Sequence, residues 1–260
     1  MNLINLDELS DDLKRLKNPP KKLNYLGNKN LLSMNKVAIV GSRKASAYTK
    51  NMVQNLAYAL KSYSVCVVSG GALGVDITAH EAAYPYTIAV YANGLNILYP
   101  RTNSKILSQI NQNALAISEY EPDKTPLQHQ FLERNRIVVA LSKALVIAQA
   151  DINSGSMQSA RIAHEIGVPI YVLPQRYNES NGTNKLLKDG KATLIDDIDE
   201  FAMKFKSNYI LKLKEKDEIL EFCKYGVSLN DALNKFGQII YEYELDNKLI
   251  INNLIVKTKG

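Results

Sequence analysis

Residues 37–76 run VAIVGSRKASAYTKNMVQNLAYALKSYSVCVVSGGALGVD. An apolar run of strand length, Val37–Val40, breaks at Gly41-Ser42-Arg43-Lys44 and is followed by an amphipathic stretch near 46–62. A second run, Val65–Val68, then breaks at Ser69-Gly70-Gly71-Ala72. Neither run alternates with polar residues, as expected of strands covered by helices on both faces. The same rhythm continues through Tyr86–Tyr91, Ala114–Ile117, Ala144–Ala148, Ile170–Leu173 and Ala192–Ile195. Helical stretches near 74–83, 103–111, 130–142, 155–166 and 183–188 lie between them. Strict βα alternation predicts an α/β, doubly wound, mostly parallel sheet.

Outside this region the pattern changes. Residues 1–36 read as an N-terminal extension, a short helix and then a loop broken by Pro19, Pro20, Gly27 and Asn28. From about 205 to 260 the order becomes helix, turn, helix, turn, helix, strand, with Leu213–Lys224 as the first helix and Leu249–Val256 as one or two short strands. Three small helices and a β-wing suggest a winged-helix-like module. Its third helix, GQIIYEYELDNK, carries Glu242, Glu244 and Asp246. A DNA-reading helix should be basic or amide-rich, so this module is expected to contact protein rather than DNA.

The chain has 260 residues, 46% of them hydrophobic, which suffices for a large core plus a small appendage. No apolar run approaches the roughly 18 residues of a membrane span, and the first residues lack the apolar segment of a signal peptide. Cys66 and Cys223 lie too far apart for a disulfide framework or a cysteine zinc site. These features point to a reduced, cytoplasmic setting. The net charge of +6 is spread thinly, so an anionic partner needs a local cluster of bases.

Ligands of open parallel sheets bind beyond the carboxyl ends of the strands, so those loops carry the candidates. At Gly41-Ser42-Arg43-Lys44, glycine permits close backbone approach, Ser42 offers a hydroxyl and Arg43 a bidentate fork for phosphate. Ser69, Gly70, Gly71 and Ala72 form a loop able to wrap an oxyanion. Phe131, Arg134, Asn135 and Arg136 combine an aromatic for a base with arginines for phosphates. Ser154, Gly155 and Ser156 precede a helix whose free N–H groups suit an anion. Each has a plain alternative: a tight turn, a helix cap, a staple, a solvated charge. Together, on one sheet edge, they make an extended phosphate-binding face.

Enzyme signatures are missing. The dinucleotide pattern of glycines and its ribose-binding acid do not occur where they should, nor do a Walker A loop, a nucleophile elbow or a metal-ligand cluster. Asp76 and His80 stand one helical turn apart, but no nucleophile accompanies them. The simpler reading has Asp76 favouring the helix start and His80 packed beneath.

The ordered motifs GSR, SGGALGVDITAH, TIAVYANGLNILYPRTN, SEYEP, FLERNR and SGSMQSARIA resemble the DNA-processing protein A (DprA/Smf) family over about residues 37–200. The resemblance implies an extended Rossmann-like domain at 37–204 that binds single-stranded DNA and forms a homodimer. It further implies protection of incoming DNA in natural transformation and help in loading the RecA recombinase, with no catalysis, cofactor or metal. It places the GSR loop (Gly41, Ser42, Arg43), the glycine loop, the F-x-x-R-N-R stretch and the Ser154–Ser156 cap along the DNA. The chain departs from the family's usual residues at Ala92, Asn96, Leu132 and Gln149, where glycine, aspartate, proline and glutamate are common. The alternative class is a nucleotide-processing enzyme of the nucleoside-monophosphate phosphoribohydrolase kind, with Glu119 or Glu133 as the acid near the ribose.

Overall fold

A computed structural model describes residues 2–5, 11–207, 218–246 and 248–259. The chain divides into two compact units, Met1–Leu211 and Lys212–Gly260. In the first unit, strands β1 (Asn2–Asn5), β2 (Lys22–Gly27) and β3 (Lys36–Val40) lead into helix α1 (Ala47–Ser62). Then follow β4 (Cys66–Ser69), α2 (Val75–Ala83), β5 (Thr87–Tyr91), α3 (Ser104–Asn113) and β6 (Leu115–Ser118). After α4 (Gln128–Ala140) come β7 (Ala144–Ile147), α5 (Gly155–Glu165), β8 (Ile170–Val172), α6 (Asn181–Lys188), β9 (Thr193–Leu194) and α7 (Ile198–Met203).

The nine strands form one sheet in the order β1-β2-β6-β5-β4-β3-β7-β8-β9. From β6 to β9 every pairing is parallel. From β3 the chain winds outward through β4, β5 and β6, then crosses back to β7 and winds the other way. The reversal puts a crevice at the carboxyl ends of β3 and β7, where doubly wound sheets bind ligands.

The interior explains the uninterrupted apolar runs. Every residue of β3, β4, β5, β6 and β7 is buried. One apolar cluster gathers Leu31, Leu107, Ile110, Ile137 and Leu145 on one face, and a second gathers Val53, Leu56, Leu60, Val75 and Phe201 on the other. The predicted strands and helices are each present with shifts of a few residues at their ends. α4 begins earlier than expected, at Gln128, because the Gln130 Oε1 accepts the Leu127 N–H at 2.7 Å and closes its first turn. α7 was not anticipated; its Asp197 cap accepts the Glu200 N–H at 2.8 Å.

The N-terminal extension is corrected by the structure. Residues 2–5 and 22–27 are strands, and β2 joins β6 antiparallel with Tyr25 opposite Ile117. Only two short 3-10 turns, Asp11–Arg15 and Lys29–Ser33, occur among its described residues. The extension widens the sheet because Ile4, Leu13, Leu16, Leu23 and Leu31 pack into the first core cluster. Arg15 then reaches the end of α4, donating to the Ala140 carbonyl at 2.6 Å and that of Ser142 at 3.2 Å.

The second unit has α8 (Glu218–Cys223), β10 (Val227–Ser228), α9 (Leu229–Phe236), α10 (Ile239–Leu245), β11 (Leu249–Asn252) and β12 (Ile255–Thr258). The strands form a sheet in the order β10-β12-β11 over a small core of Ile219, Cys223, Ala232, Ile240, Leu249 and Val256. The expected wing is thus a hairpin with an added two-residue strand. Residues 213–217, the first part of the expected helix, lie outside the described residues.

Candidate nucleic-acid interface

A groove of about 630 Å³ opens at the β3/β7 crevice. It is lined by Gly41, Ser42 and Arg43 after β3, Gly70 and Ala72 after β4, Phe131, Arg134 and Asn135 on α4, and Ser154, Gly155 and Ser156 at the start of α5. Three strand-end loops and one helix, distant in sequence, therefore meet at one concavity. Lys44 is exposed beside the groove without lining it, and Ser69 and Gly71 are buried behind it.

The first two loops support each other. Ser42 N–H donates to the Gln149 carbonyl at 2.8 Å and Val75 N–H to the Ser42 carbonyl at 3.2 Å. Gly74 adopts a φ of +76°, and a Cβ there would collide with the backbone of Ser42 and Arg43. Asn103 is buried and donates from Nδ2 to the carbonyls of Gly71 (3.0 Å) and Ala72 (3.2 Å). Asp76 Oδ2 accepts the Ala72 N–H at 3.3 Å. The oxyanion loop is braced by side chains before any ligand arrives.

The arginines divide by role. Arg43 is exposed, with its guanidinium carbon 5.2 Å from the centroid of the Phe131 ring; Tyr99 contacts the same ring at 5.9 Å. Cation and aromatic thus face the groove together. Arg134, by contrast, is buried, and donates to the carbonyls of Gly70 (2.6 Å) and Val90 and to Asn135 Oδ1 (3.2 Å). Arg136 does not line the groove; its Nη2 lies 2.5 and 2.7 Å from the two oxygens of Glu119, and its Nη1 donates to the Asn18 carbonyl at 2.9 Å. The Ser69 hydroxyl is likewise spent on the Ile39 carbonyl at 2.6 Å. Arg134, which lines the groove, and Arg136, which does not, both spend donors on internal bonds that hold the scaffold. Ser154 caps α5 through a 3.4 Å bond from Met157 N–H, and Gly155 and Ser156, whose N–H groups have no partner within the helix, line the groove.

Burial raises the Asp76 carboxyl above the ordinary range, against the opposing pull of Arg134, the Ala72 N–H, Arg43 and Ser69. His80 is fully buried and pushed down to about 3, first by desolvation and then by Arg134. The Thr87 hydroxyl donates to the Val67 carbonyl at 2.9 Å, so the 2.6 Å contact with His80 is a bond from Nδ1–H to the Thr87 oxygen. His80 is therefore packed beneath α2, as the simpler reading had it, while Asp76 is a buried acid in the wall of the groove, bonded to the Ala72 N–H.

The acids of the alternative reading are also committed. Glu119 is paired with Arg136, Glu133 accepts from the Tyr120 hydroxyl at 3.0 Å, and neither lines the groove. Among the described residues no group of three or more His, Cys, Asp or Glu is placed to hold a metal. No helix among them is long and apolar enough to cross a membrane. Tyr99 and Asn103 were missed as individual site residues, although both stand in the YPRTN stretch that carried the resemblance. Two of the departures have visible partners. Gln149 bridges loops, accepting from Ser46 N–H at 3.0 Å and donating to the Glu179 carbonyl at 3.2 Å; Asn96 donates to Asp123 at 2.8 Å.

A sequence profile described as DNA recombination-mediator protein A matches residues 2–206. The chain belongs to this family. The matched residues take in β1 and β2. Among curated relatives, DNA processing protein DprA of Streptococcus pneumoniae is 36% identical over 184 residues, spanning 69% of this chain and 65% of that one. A relative from Mycobacterium tuberculosis is 39% identical over 171 residues, spanning 63% and 44%. The chain therefore matches about half to two thirds of the length of these relatives. The solved structure of DNA processing protein A from Helicobacter pylori, described for its single-stranded DNA binding mode, is 45% identical. It superposes with a TM-score of 0.76 over 80% of this chain and 97% of that one. The Streptococcus pneumoniae structure gives 0.75 at 32% identity, over 79% and 75%.

Proposed function

We propose that this recombination-mediator family member binds single-stranded DNA without sequence preference along the carboxyl edge of its sheet. The observation that carries this reading is the groove itself, where the exposed Arg43 lies over Phe131 and opposite the open N-terminus of α5. Phosphates meet Arg43, Ser42 and the helix N–H groups, while a base stacks on Phe131. Gly155, whose missing side chain leaves room, lets the strand approach backbone, and Lys44 adds charge at the rim.

Family membership and the Helicobacter pylori relative support the same ligand. Beyond that ligand, the reading extends to a role in DNA processing during natural transformation, with protection of incoming strands, delivery to the RecA recombinase and a homodimer formed through the sheet domain. We place this activity in the cytoplasm and assign it no catalytic step, metal or cofactor.

The test is titration of a fluorescent oligo-dT and a matched duplex across salt, with the unmodified chain and Arg43→Ala. The expected result is preference for the single strand, with log K falling against log salt by about 0.7 per phosphate contact, and strong loss in the variant. Equal, weak binding of both DNAs, unmoved by Arg43→Ala, overturns the reading. Release of free base from nucleoside monophosphates would transfer the groove to the nucleotide-processing class.

A further inference from the structure

The groove ends at the loop between β7 and α5, but the sheet edge continues. β8 pairs parallel with β7, Val172 opposite Ile147. Residues 173–180 after β8 therefore stand on the same carboxyl edge, one strand spacing of about 4.8 Å farther along.

This loop is fastened to its neighbours by residues other than its most exposed ones. Gln175 Nε2 donates to the Ala148 carbonyl at 2.7 Å and to Thr49 Oγ1 at 3.1 Å. Ser180 Oγ accepts the Ala150 N–H at 2.9 Å, and the Gln149 amide joins Ser46 to Glu179. Between these ties, Arg176 and Tyr177 project from a held backbone. Tyr177 is 89% exposed. The Arg176 guanidinium carbon lies 5.7 Å from the centroid of Tyr48, on the first turn of α1 and beyond the Arg43-Lys44 loop. Its ion pair with Glu179, at 3.9 Å, is long and exposed and leaves the cation accessible.

An exposed tyrosine next to an arginine, on a braced loop in line with a phosphate groove, is a stacking platform with an electrostatic neighbour. A merely solvated loop needs neither ring. We infer that single-stranded DNA leaving the groove continues over the β8–α6 loop, where Tyr177 stacks a base and Arg176 and Lys44 take phosphates. The inference rests on the single-stranded DNA reading of the groove and extends its footprint.

The chain contains no tryptophan, so Tyr177→Trp gives a single reporter. Its emission is followed as oligo-dT of about 6 and about 20 nucleotides is added. Affinities of both lengths are measured for the unmodified chain and for an Arg176→Ala, Tyr177→Ala double variant. The longer oligonucleotide should quench the introduced indole and lose about tenfold in affinity in the double variant, while the shorter one, seated in the groove, does neither. If the longer strand binds but leaves the emission unchanged, or if the double variant matches the parent at both lengths or loses equally at both, the extension is overturned. Failure of the unmodified chain to bind either length instead overturns the groove reading and the extension with it.

Discussion

Arg134 donates to the Gly70 carbonyl at 2.6 Å, joining α4 to the loop after β4 across the floor of the groove. Space at this junction is fully used: a Cβ on Gly70 would stand 2.5 Å from Arg134 Nη2 and 2.6 Å from Asp76 Oδ2. Both neighbours are buried and cannot swing away, so the methyl group must displace the loop. Gly70→Ala is expected to cost about 1–3 kcal/mol in urea unfolding and to weaken oligo-dT binding as well. Unchanged stability in that measurement would mean the loop yields more easily than its bonds indicate.

Two residues from neighbouring loops should separate stability from binding. Ser69 is buried and donates to the Ile39 carbonyl, so Ser69→Ala leaves that acceptor unpaired and should cost about 1–3 kcal/mol of unfolding free energy. Arg43 is exposed and its loss should change stability by no more than about 0.5 kcal/mol. The DNA titrations should show the reverse order, with Arg43→Ala severe and Ser69→Ala slight. The same order in both assays would contradict the division of roles drawn from their burial.

The sheet was legible because β3 to β7 are buried on both faces, and burial on both faces leaves an unbroken apolar signature. β1 and β2 left no such mark. The four residues NLIN are polar at both ends, and KLNYLG is half exposed on an antiparallel margin, with Pro19-Pro20 just before it. The loops of the groove were legible from glycines and hydroxyls placed after strands. The assignment of Arg134 was not, since its partners Gly70 and Val90 lie 64 and 44 residues away and local sequence carries no sign of them. Arg136 poses the same difficulty: whether a guanidinium is free depends on Glu119, on a different segment.

That pair gives a further prediction. Arg136 and Glu119 are about three-quarters buried and joined by a charge-assisted bond from Arg136 Nη2, which water screens less than a surface ion pair. A double-mutant cycle with Arg136→Ala and Glu119→Ala should return a coupling of about 1–2 kcal/mol in unfolding, allowing for the remaining solvent screening. DNA affinity in Arg136→Ala should stay within about twofold of the parent, since the residue lies outside the groove. A large loss of affinity with no coupling to Glu119 would return Arg136 to the DNA.

His80 makes stability depend on pH in a direction that can be stated. The unfolded chain takes up this proton below about 6.5, whereas the folded one resists until about 3. Between those values the unfolded state binds more protons, so stability is full above the upper value and declines as pH falls through the interval. From pH 7 to pH 5 the contribution lost is roughly 2 kcal/mol. His80→Asn keeps a side-chain N–H for the Thr87 oxygen and removes the titrating ring. It should therefore lower stability at pH 7 yet flatten its acid dependence relative to the parent. Urea melts of both proteins at a series of pH values measure this, and parallel pH profiles would show that His80 is not the buried neutral group holding α2 against β5.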